Sequence, residues 1–301
     1  MYPMYSLSRV LVTGGAGFIG SHLVEKLIEL GAYVTVLDNL STGRLQNLEK
    51  VLNRINFIEG DIQDLATCMQ ATKDIDFIFH LAAFVSVPDS VNNPEACYQD
   101  NIVGTLNILQ SAQSHGVKRI VFSSSSAVYG TFEGKCSENT PCNPTSPYGH
   151  SKFIGELLCK RFTQTSNLST VILRYFNVFG ERQNPNGPYA AVVAQFKECM
   201  KNNQPIPIFG DGLQTRDFVS VWSVVNANVA TGSLPIGNSS FEIFNVGSGK
   251  SITLLELVEQ LKKEFPSFNA GITFLPGRKG DIKTSYADCS KLSSSQKHSG
   301  H

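Results

Sequence analysis

Tyr148 and Lys152 stand four positions apart in the run Tyr148-Gly149-His150-Ser151-Lys152. On a helix this spacing puts both side chains on one face, so an ammonium can lie near a phenol. An unperturbed phenol, with a pKa of about 10, is a poor base at neutral pH, and a neighbouring cation favours its ionised form. Such a pair can take a proton from an alcohol and return it. A hydroxyl that relays the proton is available upstream, in Phe122-Ser123-Ser124-Ser125-Ser126-Ala127-Val128-Tyr129-Gly130. That run follows a strand-like segment, and ligands bind at the carboxyl ends of strands in open α/β sheets. YxxxK alone is common and a serine run alone is an ordinary polar loop. The two together point to hydroxyl chemistry.

A second constellation lies near the start of the chain. Thr13-Gly14-Gly15-Ala16-Gly17-Phe18-Ile19-Gly20 spaces glycines as GxxGxxG between an apolar run and a helical pattern. Such glycines allow a tight turn, close approach to a pyrophosphate and close packing of helix on strand. The anion then sits at the helix N-terminus, where free N–H groups and the dipole favour it. Asp38 ends the next apolar run, where a carboxylate can accept both ribose hydroxyls and repel a 2′-phosphate. The expected cofactor is therefore NAD rather than NADP. Asp61, after a third run, could take the adenine amine or simply close a turn.

These residues must be held by alternating elements. Arg9–Thr13, Tyr33–Asp38, Ile55–Gly60, Asp76–Ala83 and Arg119–Ser124 are apolar nearly throughout, as strands buried on both faces of a parallel sheet should be. Helical patterns fall between them, at Phe18–Leu30 and at Asn101–His115, each followed by a glycine. The rhythm predicts an α/β fold, a Rossmann-type doubly wound parallel sheet with a smaller C-terminal α/β substrate domain. The second half adds a strand at Thr170–Phe176, a loop at Gly180–Pro188 and a helix at Ala190–Lys201. It continues with a turn at Gly210–Gly212, a strand at Phe241–Val246 and a helix at Thr253–Phe265. Ser293–His301 reads as a frayed polar tail. The expected division is a cofactor domain over residues 1–176, to which 217–247 return, and a substrate domain over 177–301.

Composition narrows the classes. Lys plus Arg and Asp plus Glu each total 25 in 301 residues, so there is no net positive charge to spread over a nucleic acid. With 42% hydrophobic and 17% charged residues the chain can build a core. No apolar run reaches membrane-spanning length; Asp76–Val87 is broken by His80 and Ser86. Met1–Arg9 is too short and polar for a signal peptide. The 7 cysteines are scattered and none forms CxxC, which predicts no metal site, no disulfide framework and a reducing cytoplasm.

Together these motifs resemble the extended short-chain dehydrogenase/reductase family, and within it the UDP-sugar 4-epimerases. The resemblance runs from about Arg9 to Lys291. It includes TGGAGFIG, VLDN, HLAA (80–83), SSSSAVYG, YGHSK, LRYFNVFG (173–180), FGDGLQTRDF (209–218), FNVGSG (244–249) and GRKGD (277–281). It implies catalytic roles for Ser125, Tyr148 and Lys152, with Ser126 as an auxiliary hydroxyl. It assigns the cofactor to Gly14, Gly17, Phe18, Ile19, Gly20, Asp38, Asn39, Asp61, Ile62, Leu81, Ala82, Ala83, Asn101, Ser123, Tyr148, Lys152 and Tyr175. Ser86, Ser125, Asn177, Phe209, Arg216, Arg278 and Ser285 are implied for the substrate. Asn177 and the two arginines would hold the diphosphate and ribose, Phe209 the uracil, and Ser285 a place beside the sugar. In the implied reaction Tyr148 removes the 4-hydroxyl proton as C4 gives hydride to NAD, and the 4-keto sugar turns over before hydride returns.

Relatives that dehydrate or decarboxylate place acids just before VYG, whereas this chain has Ser126 and Ala127. Epimerisation is therefore expected, on UDP-glucose/UDP-galactose and, because Ser285 is small, on UDP-N-acetylglucosamine/UDP-N-acetylgalactosamine. A UDP-glucuronate 4-epimerase and a non-catalytic NAD-binding sensor or scaffold are the alternatives. The usual acidic VDDV-like segment reads Val221-Trp222-Ser223-Val224, which predicts a weakened helix cap. Relatives continue past ADxSK with an apolar segment and a final helix, so the chain reads as short at its C-terminus. A homodimer through a four-helix bundle of Asn101–His115 and Tyr148–Gln164 is implied as well.

Overall fold

A computed structural model describes residues 3–185, 192–234, 240–277 and 283–298. The chain opens as β1 (Arg9–Thr13), α1 (Phe18–Glu29), β2 (Tyr33–Asp38), β3 (Ile55–Glu59), α2 (Leu65–Ala71) and β4 (Phe77–His80). Two short helices, α3 (Val87–Asn92) and α4 (Pro94–Tyr98), lead through a π-helical stretch, Gln99–Gly104, into α5 (Thr105–Ser114). Next come β5 (Arg119–Ser125), β6 (Gly134–Cys136), α6 (Pro147–Thr165), β7 (Ser169–Tyr175) and β8 (Asn177–Phe179). The remainder comprises α7 (Val192–Lys201), β9 (Ile206–Phe209), β10 (Thr215–Arg216), β11 (Phe218–Ser220), α8 (Val221–Gly232) and β12 (Phe241–Val246). It ends with β13 (Ile252–Thr253), α9 (Leu254–Lys262), β14 (Ile272–Leu275), β15 (Thr284–Ala287) and α10 (Ser290–His298).

Seven strands form one sheet in the order β12-β7-β5-β4-β1-β2-β3, and every pairing in it is parallel. Alternate side chains feed two cores. Val10 and Val12 pack with Leu23 and Leu27 of α1 and with Val224 and Val225 of α8. Leu11 faces the other layer, with Cys68, Ile108, Leu109 and Cys159 of α2, α5 and α6. The order reverses at β1, and that reversal opens a crevice at the carboxyl ends of β1 and β4.

The remaining strands form smaller sheets. β13-β10-β15-β6 make one sheet, and β11-β8 and β14-β9 are pairs. α7 and α9 cover a separate core that includes Phe196, Met200, Ile206, Ile208, Leu257 and Val258. α9 starts with a reciprocal cap in which Thr253 accepts from Glu256 N–H and Glu256 accepts from Thr253 N–H.

Four expectations change. The loss of acidic residues at 221–224 does not uncap α8, because the Ser220 side chain accepts from Ser223 N at 3.1 Å. At the other end of α8, Arg119 donates to the carbonyls of Gly232 (2.7 Å) and Leu234 (2.8 Å). The tail is not wholly frayed: α10 buries Leu292 in the core beside α8. Lys291 also ties α10 to Glu242 and to the Ile243 carbonyl of β12. β4 is shorter than the apolar run, since after His80 the N–H groups of Leu81 and Ala82 turn to the Thr13 side chain. Asn101–His115 is not one regular helix, because the chain bulges before α5.

Candidate active site

A cavity of about 750 Å³ opens at the crevice. Gly14, Gly17, Phe18, Ile19, Gly20, Asp38, Asn39, Asp61, Ile62, Leu81, Ala82, Ala83, Ser86, Ser123, Ser125, Tyr148, Lys152 and Tyr175 all line it. Six other candidates, Asn101, Ser126, Asn177, Phe209, Arg216 and Ser285, are not among its lining residues. Arg278 lies outside the described residues.

The glycine loop is shaped by two close approaches. Gly14 has φ +68°, and a Cβ there would stand 2.7 Å from Ala82 N on the neighbouring β4 connection. A Cβ on Gly20 would stand 2.1 Å from the Gly14 carbonyl. α1 begins after Gly17 with no side-chain cap and no acid in its first turn. Its first N–H groups are therefore left for an anion. Asp38 accepts from Ala16 N at 2.9 Å and Leu40 N at 2.8 Å, which fixes the end of β2 against the loop. Burial raises its pKa. Each oxygen keeps a second lone pair for a ribose hydroxyl. Asn39 Nδ2 donates to Asp61 at 2.9 Å.

Sequence reasoning missed the segment after β2. Ser41, Thr42, Gly43, Arg44 and Asn47 also line the cavity, and Asn47 Nδ2 donates to the Ala16 carbonyl at 2.8 Å. No spacing rule marks them; their place follows from the turn that Asp38 fixes.

Asn101 is buried beside the cavity rather than on its wall. It is 2% exposed, and its amide is used up on Phe84 N (2.7 Å), Phe84 O (3.0 Å) and Ser151 Oγ (2.8 Å). It joins the loop after β4 to α6 rather than facing the cavity. Nearby, His80 joins β1 to α5. Thr105 donates to the Asn101 carbonyl at 2.6 Å, so it accepts from His80 Nε2 at 3.1 Å. Nδ1 then accepts from Thr13 Oγ1 at 2.7 Å. The network assigns a neutral imidazole with its proton on Nε2. Burial agrees, holding the pKa down at about 3.

Three consecutive serines of β5 meet α6. The Ser123 carbonyl accepts from Lys152 Nζ at 2.9 Å. Ser124 donates to Glu156 at 2.5 Å. Ser125 Oγ accepts from Ala127 N at 3.2 Å and hydrogen-bonds the Tyr148 phenol. Glu156 follows Lys152 by one helical turn and is held bidentately by Arg174 at 2.9 and 2.7 Å. Arg174 also donates to Tyr129 OH at 3.0 Å, and that hydroxyl donates to Asn245 at 2.6 Å.

Lys152 Nζ lies 5.9 Å from the Tyr148 ring centroid. Burial pushes Tyr148 up to about 12, against the opposing Ser125 hydrogen bond. Burial likewise pulls Lys152 down to about 8. For both groups burial is the largest cause of the shift, and each moves toward its neutral form. Tyr175 OH lies 3.0 Å from Ser123 Oγ and accepts from Asn228 Nδ2 at 2.8 Å.

The substrate candidates sit on the smaller strands. Arg216 and Ser285 are register partners on β10 and β15, and Ser285 pairs in turn with Gly134 of β6. Asn177 Nδ2 donates to the Asp217 carbonyl at 3.1 Å, across β8 and β11. Phe209 ends β9, and its carbonyl accepts from Gln214. Ser126 opens the single turn that leads from Ser125 to Tyr129.

The profile of the NAD dependent epimerase/dehydratase family matches residues 10–247. The chain belongs to this family. A putative UDP-glucose 4-epimerase of Methanocaldococcus jannaschii is 41% identical over 95% of this chain and 91% of its own length. Among solved structures, UDP-N-acetylglucosamine 4-epimerase from Methanobrevibacter ruminantium, in complex with UDP-N-acetylmuramic acid, superposes with a TM-score of 0.91 at 39% identity. That match covers 96% of this chain and 92% of the other. Thermus thermophilus UDP-glucose 4-epimerase in complex with NAD gives a TM-score of 0.86 at 35% identity, covering 95% and 92%.

As a member of this family the protein is an NAD-dependent enzyme, and its cavity fits that cofactor. Gly14, Gly17 and Gly20 line it at the start of α1, where the helix has no side-chain cap, and Asp38 lines it too. No group of three His, Cys, Asp or Glu among the described residues is placed to hold a metal ion. No described helix is long and apolar enough to cross a membrane.

Proposed function

We propose that this family member interconverts UDP-hexoses at C4, acting on UDP-glucose/UDP-galactose and on their 2-acetamido counterparts. The observation that carries the reading is the meeting of Ser125, Tyr148 and Lys152 on the wall of a dinucleotide cavity. Elimination of water or loss of carbon dioxide needs one more acid or base. Positions 126 and 127, next along the chain, hold Ser and Ala.

The chain's own residues divide the work. The α1 terminus and Asp38 bind the diphosphate and a ribose, with Lys152 placed for the second ribose. Bound NAD supplies a positive ring beside the phenol and a reversible hydride acceptor. Ser125 hydrogen-bonds the sugar 4-hydroxyl and orients it toward Tyr148. Tyr148 takes the hydroxyl proton and later returns it to the same oxygen, so no net proton is lost. Arg216 and Asn177 suit the nucleotide diphosphate, where a guanidinium fork matches phosphate oxygens.

Incubating purified protein with UDP-glucose, UDP-N-acetylglucosamine and UDP-glucuronate, and separating the products, tests the reading. Conversion of the first two to their C4 epimers is expected; conversion of UDP-glucuronate alone would replace it. Tyr148→Phe should cost on the order of 10³ in turnover while leaving bound NAD in place. Ser285→Tyr should reduce turnover of UDP-N-acetylglucosamine far more than that of UDP-glucose, because the added ring takes the acetamido volume. Equal losses on both substrates would refute that role.

A homodimer that uses α6 is supported by Leu157, 49% exposed on that helix, and by Val91 and Tyr98, 61% and 37% exposed on α3 and α4, which pack beside it. The 7 thiols, all free, suit a reducing cytoplasm.

A further inference from the structure

The segment that leaves β8 passes over the start of α1. A Cβ on Gly180 would lie 2.5 Å from Val221 Cγ1 and 3.6 Å from the Phe18 ring, so the chain is wedged between α8 and α1 at this point. Beyond it, Arg182, Gln183, Asn184 and Pro185 line the same cavity as Gly14, Gly17 and Phe18. The segment is tied down by α1 itself. Arg182 Nη2 donates to Glu25 Oε1 at 2.6 Å, with both side chains more than four-fifths buried. His22 Nε2 donates to the Glu181 carbonyl at 3.1 Å. The His22 ring is covered in turn by Trp222 of α8, at 4.8 Å between centroids. Arg182 adopts φ +66°, a left-handed conformation that a non-glycine residue keeps only when its contacts hold it there.

His22 and Glu25 lie one and two turns along the helix whose first turn faces the cavity, yet neither lines the cavity. We propose that these two side chains hold residues 181–185 as a strap across the cofactor cavity and so govern how slowly NAD leaves. The strap rests on the NAD dependence of the family, and its usefulness on the proposed reaction, in which NAD ends each cycle unchanged. An enzyme that returns its cofactor unchanged after each cycle gains nothing from releasing it. A clasp built on the anion-binding helix makes retention independent of the catalytic serine, tyrosine and lysine. Breaking the clasp does not remove a cofactor contact; it frees the segment that must move before the dinucleotide can depart.

The test measures cofactor retention. Holoenzyme is separated from free NAD by gel filtration, and the bound NAD is followed over time after denaturing aliquots. Glu25→Ala and His22→Leu should each release NAD about tenfold faster than wild type, as expected for loss of one charge-assisted or buried hydrogen bond. Glu29→Ala, which removes an exposed pair with Lys26 on the same helix, should release it at the wild-type rate. Melting of the cofactor-free proteins reports whether the fold survives. Wild-type retention in Glu25→Ala and His22→Leu overturns the strap. Equal acceleration in Glu29→Ala overturns it too, because helix damage would then be the cause. A melting temperature lowered in step with retention across the set does the same. Wild-type protein that neither carries nor takes up NAD would instead overturn the cofactor assignment.

Discussion

His80 shows how a single side chain can be fixed in charge as well as in place. Its two nitrogens are committed to Thr13 and Thr105, leaving no room for a second proton. Burial holds its pKa at about 3, against about 6.5 in an unfolded chain. Between those values the unfolded chain binds a proton that the native one refuses, so stability falls as pH drops below about 6.5. The loss is up to about 1.4 kcal/mol per pH unit for this group. Burial lowers the His22 pKa as well, so the informative comparison is with His80→Asn. Urea midpoints measured from pH 7 to pH 4 should fall less steeply in that variant; parallel slopes would rule out His80 as the source. The same scale shows what the YxxxK pattern could not convey. Spacing placed Lys152 and Tyr148 on one face, but whether the ammonium lowers the phenol depends on how dry the site is. On one side that dryness comes from the Phe122 ring, which packs against Gly155 of α6 and lies 5.2 Å from Lys152 Nζ.

Between elements, the Glu156–Arg174 pair joins the catalytic helix to β7, the strand next to one edge of the sheet, with both side chains 3% exposed. Through Tyr129 and Asn245 it reaches β12, and Asn245 Nδ2 donates to the Cys136 carbonyl of β6 at 2.9 Å. Since β6 pairs with the strand that carries Ser285, one polar network runs from Ser124, the neighbour of Ser125, to the smaller sheet. Glu156→Gln leaves a buried guanidinium uncompensated and should cost about 3–5 kcal/mol in a denaturant titration. Glu156→Leu combined with Arg174→Met should recover most of it; a double variant as unstable as the single would show that the charges are not the cause.

None of this network is legible in sequence, because its members are 18 to over 100 residues apart. What could be read was local: the strands of the main sheet, because both of their faces are apolar, and the glycine loop, because its constraints are steric. The two-residue strands β10 and β13 have no periodicity to detect, and α10 owes its order to Leu292 and Lys291 docking on β12. Ser86 and Tyr175 line the cavity, whereas Asn101 lies in the π-helical stretch with its amide bound to Phe84 and Ser151.

At the scale of the whole molecule, the α3–α4–α6 surface carries apolar side chains that a lone subunit leaves wet. If two copies bury it, Leu157→Arg should convert a dimer to a monomer in sedimentation velocity while leaving the fold intact by circular dichroism. An unchanged sedimentation coefficient would place any association elsewhere. The sheet itself has a consequence for synthesis. Its outermost strand, β12, pairs with β7, yet residues 176–240 separate them in the chain. During translation the Ser169–Tyr175 edge therefore stays open until that whole intervening stretch has emerged from the ribosome. An unpaired apolar strand edge is a template for foreign strands. The nascent chain thus passes through an interval in which the β7 edge has no partner from its own sheet.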